Sequence, residues 1–315
     1  MHYSSCKNKH ILTSLWQIAS IFIILFLLLI PLHAHAQNSI PDQPDFKTMA
    51  KAESGAVEKV IDPLTLQLRD GRILFLSGLD FPDLDYYEPG PLSVMALKIL
   101  RDMLEGQKVL IYQAKQDEGR INRMGHHVAH VVVYNKDLWV QGVLLRLGLA
   151  RVRTTASNYD LAEHMYLYEN QARAEKSGLW KVRAYDILSP DNAHLFTGGF
   201  AIVEGTILKI GNRQGQLYLN FGHNWRKDFT VAIPREHKKT FIQAGLNPQN
   251  LGGQKIRVRG WLRSYNGPYI EIDHPECLEF IKEEIEKKPA NDKNKNIQNK
   301  HNEQKETPKE NGLNN

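Results

Sequence analysis

Cysteine is almost missing from this sequence: there are two, Cys6 and Cys277. Cys6 falls in an N-terminal leader, so Cys277 stands alone and no internal disulfide can staple the fold, which must rest on its core. No lipobox surrounds Cys6, which sets a lipoprotein aside. An excess of one charge is lacking too, with 40 Lys and Arg against 35 Asp and Glu and a formal net charge of +5. So mild a balance neither demands nor excludes a polyanion partner. Apolar residues are nearly absent from residues 286–315, which are mostly Lys, Asn, Glu and Gln. Such a segment cannot bury enough surface to offset the entropy of ordering it, and it reads as a disordered tail. Glutamates among its lysines dilute any field a basic nucleic-acid arm would need.

The leader is what the sequence has in place of these things. Lys7, Lys9 and His10 give a basic start, a nearly unbroken apolar run fills residues 21–32, and Ala34-His35-Ala36 follows. That order reads as a secretory signal over residues 1–36, cleaved after Ala36. The apolar character also reaches back to Ile11, so an uncleaved anchor of ~20 residues stays open. Either outcome places the folded part outside the cytosol, in the periplasm or the medium, and membrane attachment follows only from an uncleaved leader.

Two folded segments remain, residues 50–182 and 198–282. In the first, residues 56–60 and 64–68 alternate with the period of half-buried strands, and Asp70-Gly71 turns the chain into residues 72–76. A helix is expected over 92–104 with Val94, Leu97, Leu100, Met103 and Leu104 on one side and Gly106 at its end. Strands over 108–113 and 127–133, then helices over 138–147 and 160–176, complete the pattern. Strands first and helices packed on them predict a mainly β, α+β unit built on a small closed barrel.

The order of "VEKVIDPLTLQL", "ILFLSGLDFPD", "RMGHHVAHVVV", "LLRLGLARV" and "ARAEKSGLW" resembles the staphylococcal nuclease (thermonuclease) family across about residues 54–180. The resemblance implies an OB-fold barrel and, in active members, Ca²⁺-dependent hydrolysis of DNA and RNA. It also implies carboxylates for a hard cation, two arginines around the phosphorane and a glutamate for the attacking water. Residue by residue, that set is eroded. The motif usually written Asp-Gly-Asp-Thr reads Asp62-Pro63-Leu64-Thr65. The first arginine position holds Phe75, and the second holds His126 in Met124-Gly125-His126. Asp-x-Pro-Glu reads Asp80-Phe81-Pro82-Asp83, which keeps Asp80 as the one candidate metal ligand and shortens the glutamate. The expected tyrosines fall near Thr154 and Ala156. The remnant is Asp62, Thr65, Asp80, Asp83 and His126. Each lost donor is worth roughly 10²–10³ in rate, so thermonuclease chemistry is expected to be negligible and no bound Ca²⁺ is counted on.

Two rescues were open to the sequence. Arg72 and Arg123 are near the lost arginines, although Arg72 belongs on the opposite face of the pleat from Phe75. His126 with Asp80 and Asp83 could hold a transition metal. His130 cannot join it, being ~13 Å further along the strand.

After Pro190 the pattern restarts. Three strands, a helix expected from Pro234 to Ala244, and two strands joined by Asn266-Gly267 follow the order of a second five-stranded OB-like barrel. Gly205 is expected to permit a bend in its first strand. Residues 200–280 carry eleven Lys and Arg against seven acids. Alternation predicts an exposed row of Arg257, Arg259 and Trp261, with Arg263, Trp225 and Arg226 close by. Aromatics beside cations are what single-strand binding uses. Alternatively, the aromatics are core residues with arginine stems over their edges. Three functions follow: a non-catalytic module for single-stranded nucleic acid or another anionic envelope polymer, a metal-dependent endonuclease with a rebuilt site, and a scaffold for an envelope protein.

Overall fold

The computed structural model describes residues 43–281 except Trp225. The leader, the tail and Trp225 therefore lie outside the described residues. Among the described residues no helix is long and apolar enough to cross a membrane. The chain divides into two compact units between Asp186 and Ile187.

The first unit runs β1 (Ala50–Asp62), β2 (Thr65–Leu68), β3 (Ile73–Leu76), β4 (Leu79–Asp80), α1 (Pro91–Leu104), β5 (Lys108–Gln113), β6 (His127–Val133), β7 (Leu138–Trp139), α2 (Val140–Arg146), β8 (Arg151–Val152) and α3 (Ala162–Ala174). Strand β1 is long enough to serve two neighbours. Its first half pairs with β5 and its second half with β2, with a register shift between Ala52 and Gly55. Strands β3 and β6 then close the ring in parallel, Phe75 opposite Val128. The result is a five-stranded barrel in the order β1-β2-β3-β6-β5. Its interior takes the inward half of each alternating run, among them Val57, Val60, Leu66, Leu68, Leu74 and Leu76.

Helix α1 forms where its period placed it, with Leu97, Leu100, Met103 and Leu104 against the core as expected and Val94 the exception. Ser93, Ala96, Leu100 and Leu104 are buried, whereas Val94 is 52% exposed. Small residues at 93 and 96 let the helix lie close to the barrel, so Val94 is displaced to the rim. The expected helix over 138–147 begins two residues late, because Leu138 and Trp139 add a short strand to β6. Trp139 is buried there, with Tyr168 edge-on at 5.5 Å between ring centroids.

The second unit runs β9 (Gly199–Thr206), β10 (Lys209–Arg213), β11 (Gln216–Asn220), β12 (Thr230–Ile233), α4 (Lys238–Gln243), β13 (Lys255–Ser264), β14 (Pro268–Glu271) and β15 (Leu278–Phe280). Strand β9 pairs along its whole length with β13 from Lys255 to Leu262, and β10 pairs with β11. Between them, the Ile207 amide donates to the Gln254 carbonyl and the Leu208 amide donates to the Asn220 carbonyl. One strand thus passes from one partner to the next at Ile207-Leu208. Strands β12 and β14 close the ring in parallel, as β3 and β6 do. Both units are therefore OB-type barrels with a helix between the third and fourth strands.

The bend falls at Ile207-Leu208, not at Gly205. Gly205 is needed for close approach, since a Cβ there would meet Pro190 Cγ at 2.5 Å. Helix α4 is shorter than expected, because residues 234–237 form a turn in which the His237 amide donates to the Pro234 carbonyl. Asn266 and Gly267 form the expected turn, both with positive φ.

Candidate functional site

The place where a thermonuclease would hold its metal lies at the ends of β1, β3 and β4. Asp62 closes β1 and folds back on its own loop, its Oδ1 accepting from the Leu64 amide at 2.7 Å. This is a turn that aspartate favours by itself. Tyr86 stands close enough that Asp62, after burial, helps raise its pKa. Thr65 is buried at the start of β2 and pairs with Phe75, which is half-buried.

Asp80 is the remnant carboxylate of greatest interest, and it is taken. It sits opposite Arg151 across the β4–β8 bridge. Arg151 Nε donates to its Oδ2 at 2.7 Å and Arg153 Nη1 to its Oδ1 at 3.4 Å. The Asp80 side chain is only 14% exposed and that of Arg151 9%. Cross-strand pairing of opposite charges with so little water around them is a strong local preference.

Asp83 has become a helix cap. Its Oδ2 accepts from the Leu92 amide at 2.8 Å and the Ser93 amide at 3.3 Å, and its Oδ1 accepts from Ser93 Oγ at 2.6 Å. Gly90 makes room for it, since a Cβ there would lie 2.4 Å from Oδ2. The carboxylate stabilises the N-terminus of α1 through two orphan amides, the Ser93 hydroxyl and the helix dipole. Burial, then Asp83, raises the pKa of Tyr185, with Arg151 opposing, so a phenol stands beside both charges.

The two rescues do not form. Arg72 forks onto Asp70 at 2.6 Å and donates to the Glu53 carbonyl at 2.8 Å. Arg123 is exposed, and the His126 amide donates to Asn122 Oδ1 at 3.0 Å. His126 Nδ1 is buried with no partner among the described residues. His130 lies inside, 3% exposed, with its ring centroid 5.7 Å from that of Trp139. A Ca²⁺ ion takes six to eight oxygens from carboxylates that can turn to it. Asp62, Asp80 and Asp83 each turn to an internal donor, so the residues present do not fit the ion.

The second barrel corrects the expected binding row. Arg257 lies between Glu204 of β9 and Glu279 of β15 in one cross-strand register. Its Nη2 reaches Glu204 Oε2 at 2.6 Å and its Nη1 reaches Glu279 Oε2 at 3.4 Å. Arg259 is 2% exposed and pairs with Glu279. Alternation placed both arginines correctly on the outer face. It could not show that two acids from neighbouring strands would neutralise them there. Trp261 is 48% exposed, and Arg226 and Arg263 are exposed.

A cavity of about 350 Å³ opens elsewhere, on the β10–β11–β12 side beside the β13–β14 turn. Lys209, Arg213, Tyr218, His223, Tyr265 and Tyr269 line it. Tyr265 and Tyr269 meet edge to face with ring centroids 5.9 Å apart. Burial, then Glu271, raises the pKa of Tyr269, and its hydroxyl donates to Glu271 Oε2 at 3.1 Å. Sequence reasoning missed this group, although Tyr218 is legible as the outward residue between Leu217 and Leu219. The strand-two and strand-three face with its two flanking loops is where OB barrels take oligonucleotides and oligosaccharides.

Closed five-stranded barrels with a parallel seam define the class of both units. Within that class, residues 75–182 match the family model of staphylococcal nuclease homologues, which makes the first unit a domain of that kind. The match begins at β3, so it spans Asp80, Asp83 and His126 and leaves Asp62 and Thr65 before it. No curated protein matches the chain.

Proposed function

We propose that this protein is an exported, non-catalytic relative of the nucleases that holds single-stranded nucleic acid in the groove of its second barrel. The observation that carries the loss of catalysis is the commitment of Asp80 to Arg151 and Arg153. With it go the Asx turn of Asp62 and the helix cap of Asp83. These three carboxylates are thereby engaged elsewhere than on a hard cation, and Phe75 and His126 stand where the family carries arginines. The export reading is supported by the leader pattern, and a nuclease-related role by the family match.

Binding is supported by the chemistry of the groove. Lys209 and Arg213 can meet phosphates, while Tyr218 and Tyr265 offer faces on which bases stack. The full chain is expected to bind a labelled oligothymidylate equally in EDTA and in Ca²⁺, Mg²⁺ or Mn²⁺, with affinity falling as salt rises. Tyr218→Ala should weaken it roughly 5- to 150-fold, the loss of one stacked base. Arg257→Ala should leave the salt dependence unchanged. Metal-dependent cleavage of the strand above the EDTA control would refute the reading, and so would an affinity indifferent to Tyr218→Ala.

A further inference from the structure

Between β14 and β15 the chain makes one tight turn that gathers three different metal-binding side chains. Asp273 and His274 follow β14, and the 3₁₀ turn Pro275–Cys277 brings the thiol back over the imidazole. The Cys277 amide donates to the His274 carbonyl at 3.3 Å, which fixes that return. One donor atom from each of Asp273, His274 and Cys277 lies within 4.8 Å of the other two. His274 is 1% and Cys277 8% exposed, whereas the Asp273 side chain is 49% exposed. The cluster is buried on its nitrogen and sulfur sides and open on its oxygen side.

The sulfur–nitrogen separations match a coordination sphere, and the oxygen–nitrogen contact is tighter than one. Tetrahedral bonds of about 2.0–2.3 Å set neighbouring donor atoms about 3.3–3.8 Å apart. Cys277 Sγ lies 3.5 Å from His274 Nδ1 and 3.6 Å from Nε2. Asp273 Oδ1 is 2.5 Å from Nδ1, a proton-bridged contact that an ion would open by less than a side-chain rotation.

We propose that Asp273, His274 and Cys277 form a zinc-class site that ties β15 to the end of β14. A thiolate, an imidazole and a carboxylate together select a borderline divalent ion over Ca²⁺ or Mg²⁺. The site is independent of the nucleic-acid groove and of the first barrel's remnant.

The test uses the full chain without a histidine tag, reduced and metal-free, titrated with Co²⁺. The expected result is a thiolate-to-cobalt charge-transfer band that saturates near one equivalent, is displaced by Zn²⁺ and is absent in Cys277→Ser. Asp273→Asn should weaken Co²⁺ binding roughly tenfold or more, with the circular dichroism spectrum retained. In parallel, Zn²⁺ should slow alkylation of Cys277 in the wild-type protein, read on the peptide that carries it. That measurement decides if Cys277→Ser does not fold. Folded wild-type protein with no band in excess Co²⁺, or Cys277 alkylated at the same rate with and without Zn²⁺, overturns the site.

Discussion

Glu279→Ala is expected to destabilise the second unit by about 3 kcal/mol, since it withdraws a little-exposed carboxylate from two arginines at once. The glutamate side chain is 9% exposed, and it takes both Arg259, at 2%, and Arg257, at 15%. In the variant, Arg257 keeps Glu204, while the nearly buried Arg259 gives up its contact with Glu279. Replacing both ends, Arg259→Met with Glu279→Leu, should recover most of the loss, since apolar pairs of similar volume serve as well as a buried ion pair. Arg263→Ala, on the same strand but exposed, should stay within about 0.5 kcal/mol. Denaturant unfolding of the three proteins measures this. A Glu279→Ala transition no lower than that of Arg263→Ala would return the arginine row to the list of ligand surfaces.

Acid should unfold the first unit through His130. Burial alone pushes its pKa from 6.5 down to about 3. Between these values the unfolded chain binds a proton there and the native barrel does not. Stability therefore rises with pH across that window and falls as the medium is acidified, by about 1.4 kcal/mol per pH unit. His130→Phe keeps a ring against Trp139 and removes the proton. Carboxylates titrate in both proteins, so the difference between their stability–pH slopes isolates the histidine. From pH 6 to pH 4 the wild type is expected to lose about 3 kcal/mol more than the variant. Coincident slopes would mean that the native barrel admits a charged imidazole.

The barrels were legible in the sequence because strands such as β5 and β11 alternate and several turns carry their own chemistry. Asp70-Gly71 and Asn266-Gly267 mark two hairpins, and Gly106 and Gly245 stop two helices, all with positive φ at the glycine. The departures from the family pattern at Leu64, Phe75 and His126 are also readable, since the resemblance implies what chemistry those positions usually carry. What became of the surviving carboxylates was not readable. Arg151 faces Asp80 from a strand more than a helix and a hairpin away, and only the β4–β8 bridge brings them together. Asp83 looks like a shortened catalytic residue until the N-terminus of α1 is seen to rest on it. The arginine row failed for the same reason: period two assigns a face to Arg257 and Arg259, while Glu204 and Glu279 arrive from other strands. The Asp273-His274-Cys277 cluster was overlooked although its residues fall within five positions of the chain. Its spacing matches no common ligand motif, and the 3₁₀ turn that folds it is set by Pro275.

Asp83 also sets the terms on which chemistry could return to the first barrel. Lengthening it to glutamate would give back the family's side chain, but the extra methylene would carry the carboxylate past the amides of Leu92 and Ser93. The first turn of the helix would then fray. Any path that places a glutamate at this position passes through a less stable intermediate. The cap thus holds the side chain at its present length, like a ratchet whose pawl is a single CH₂.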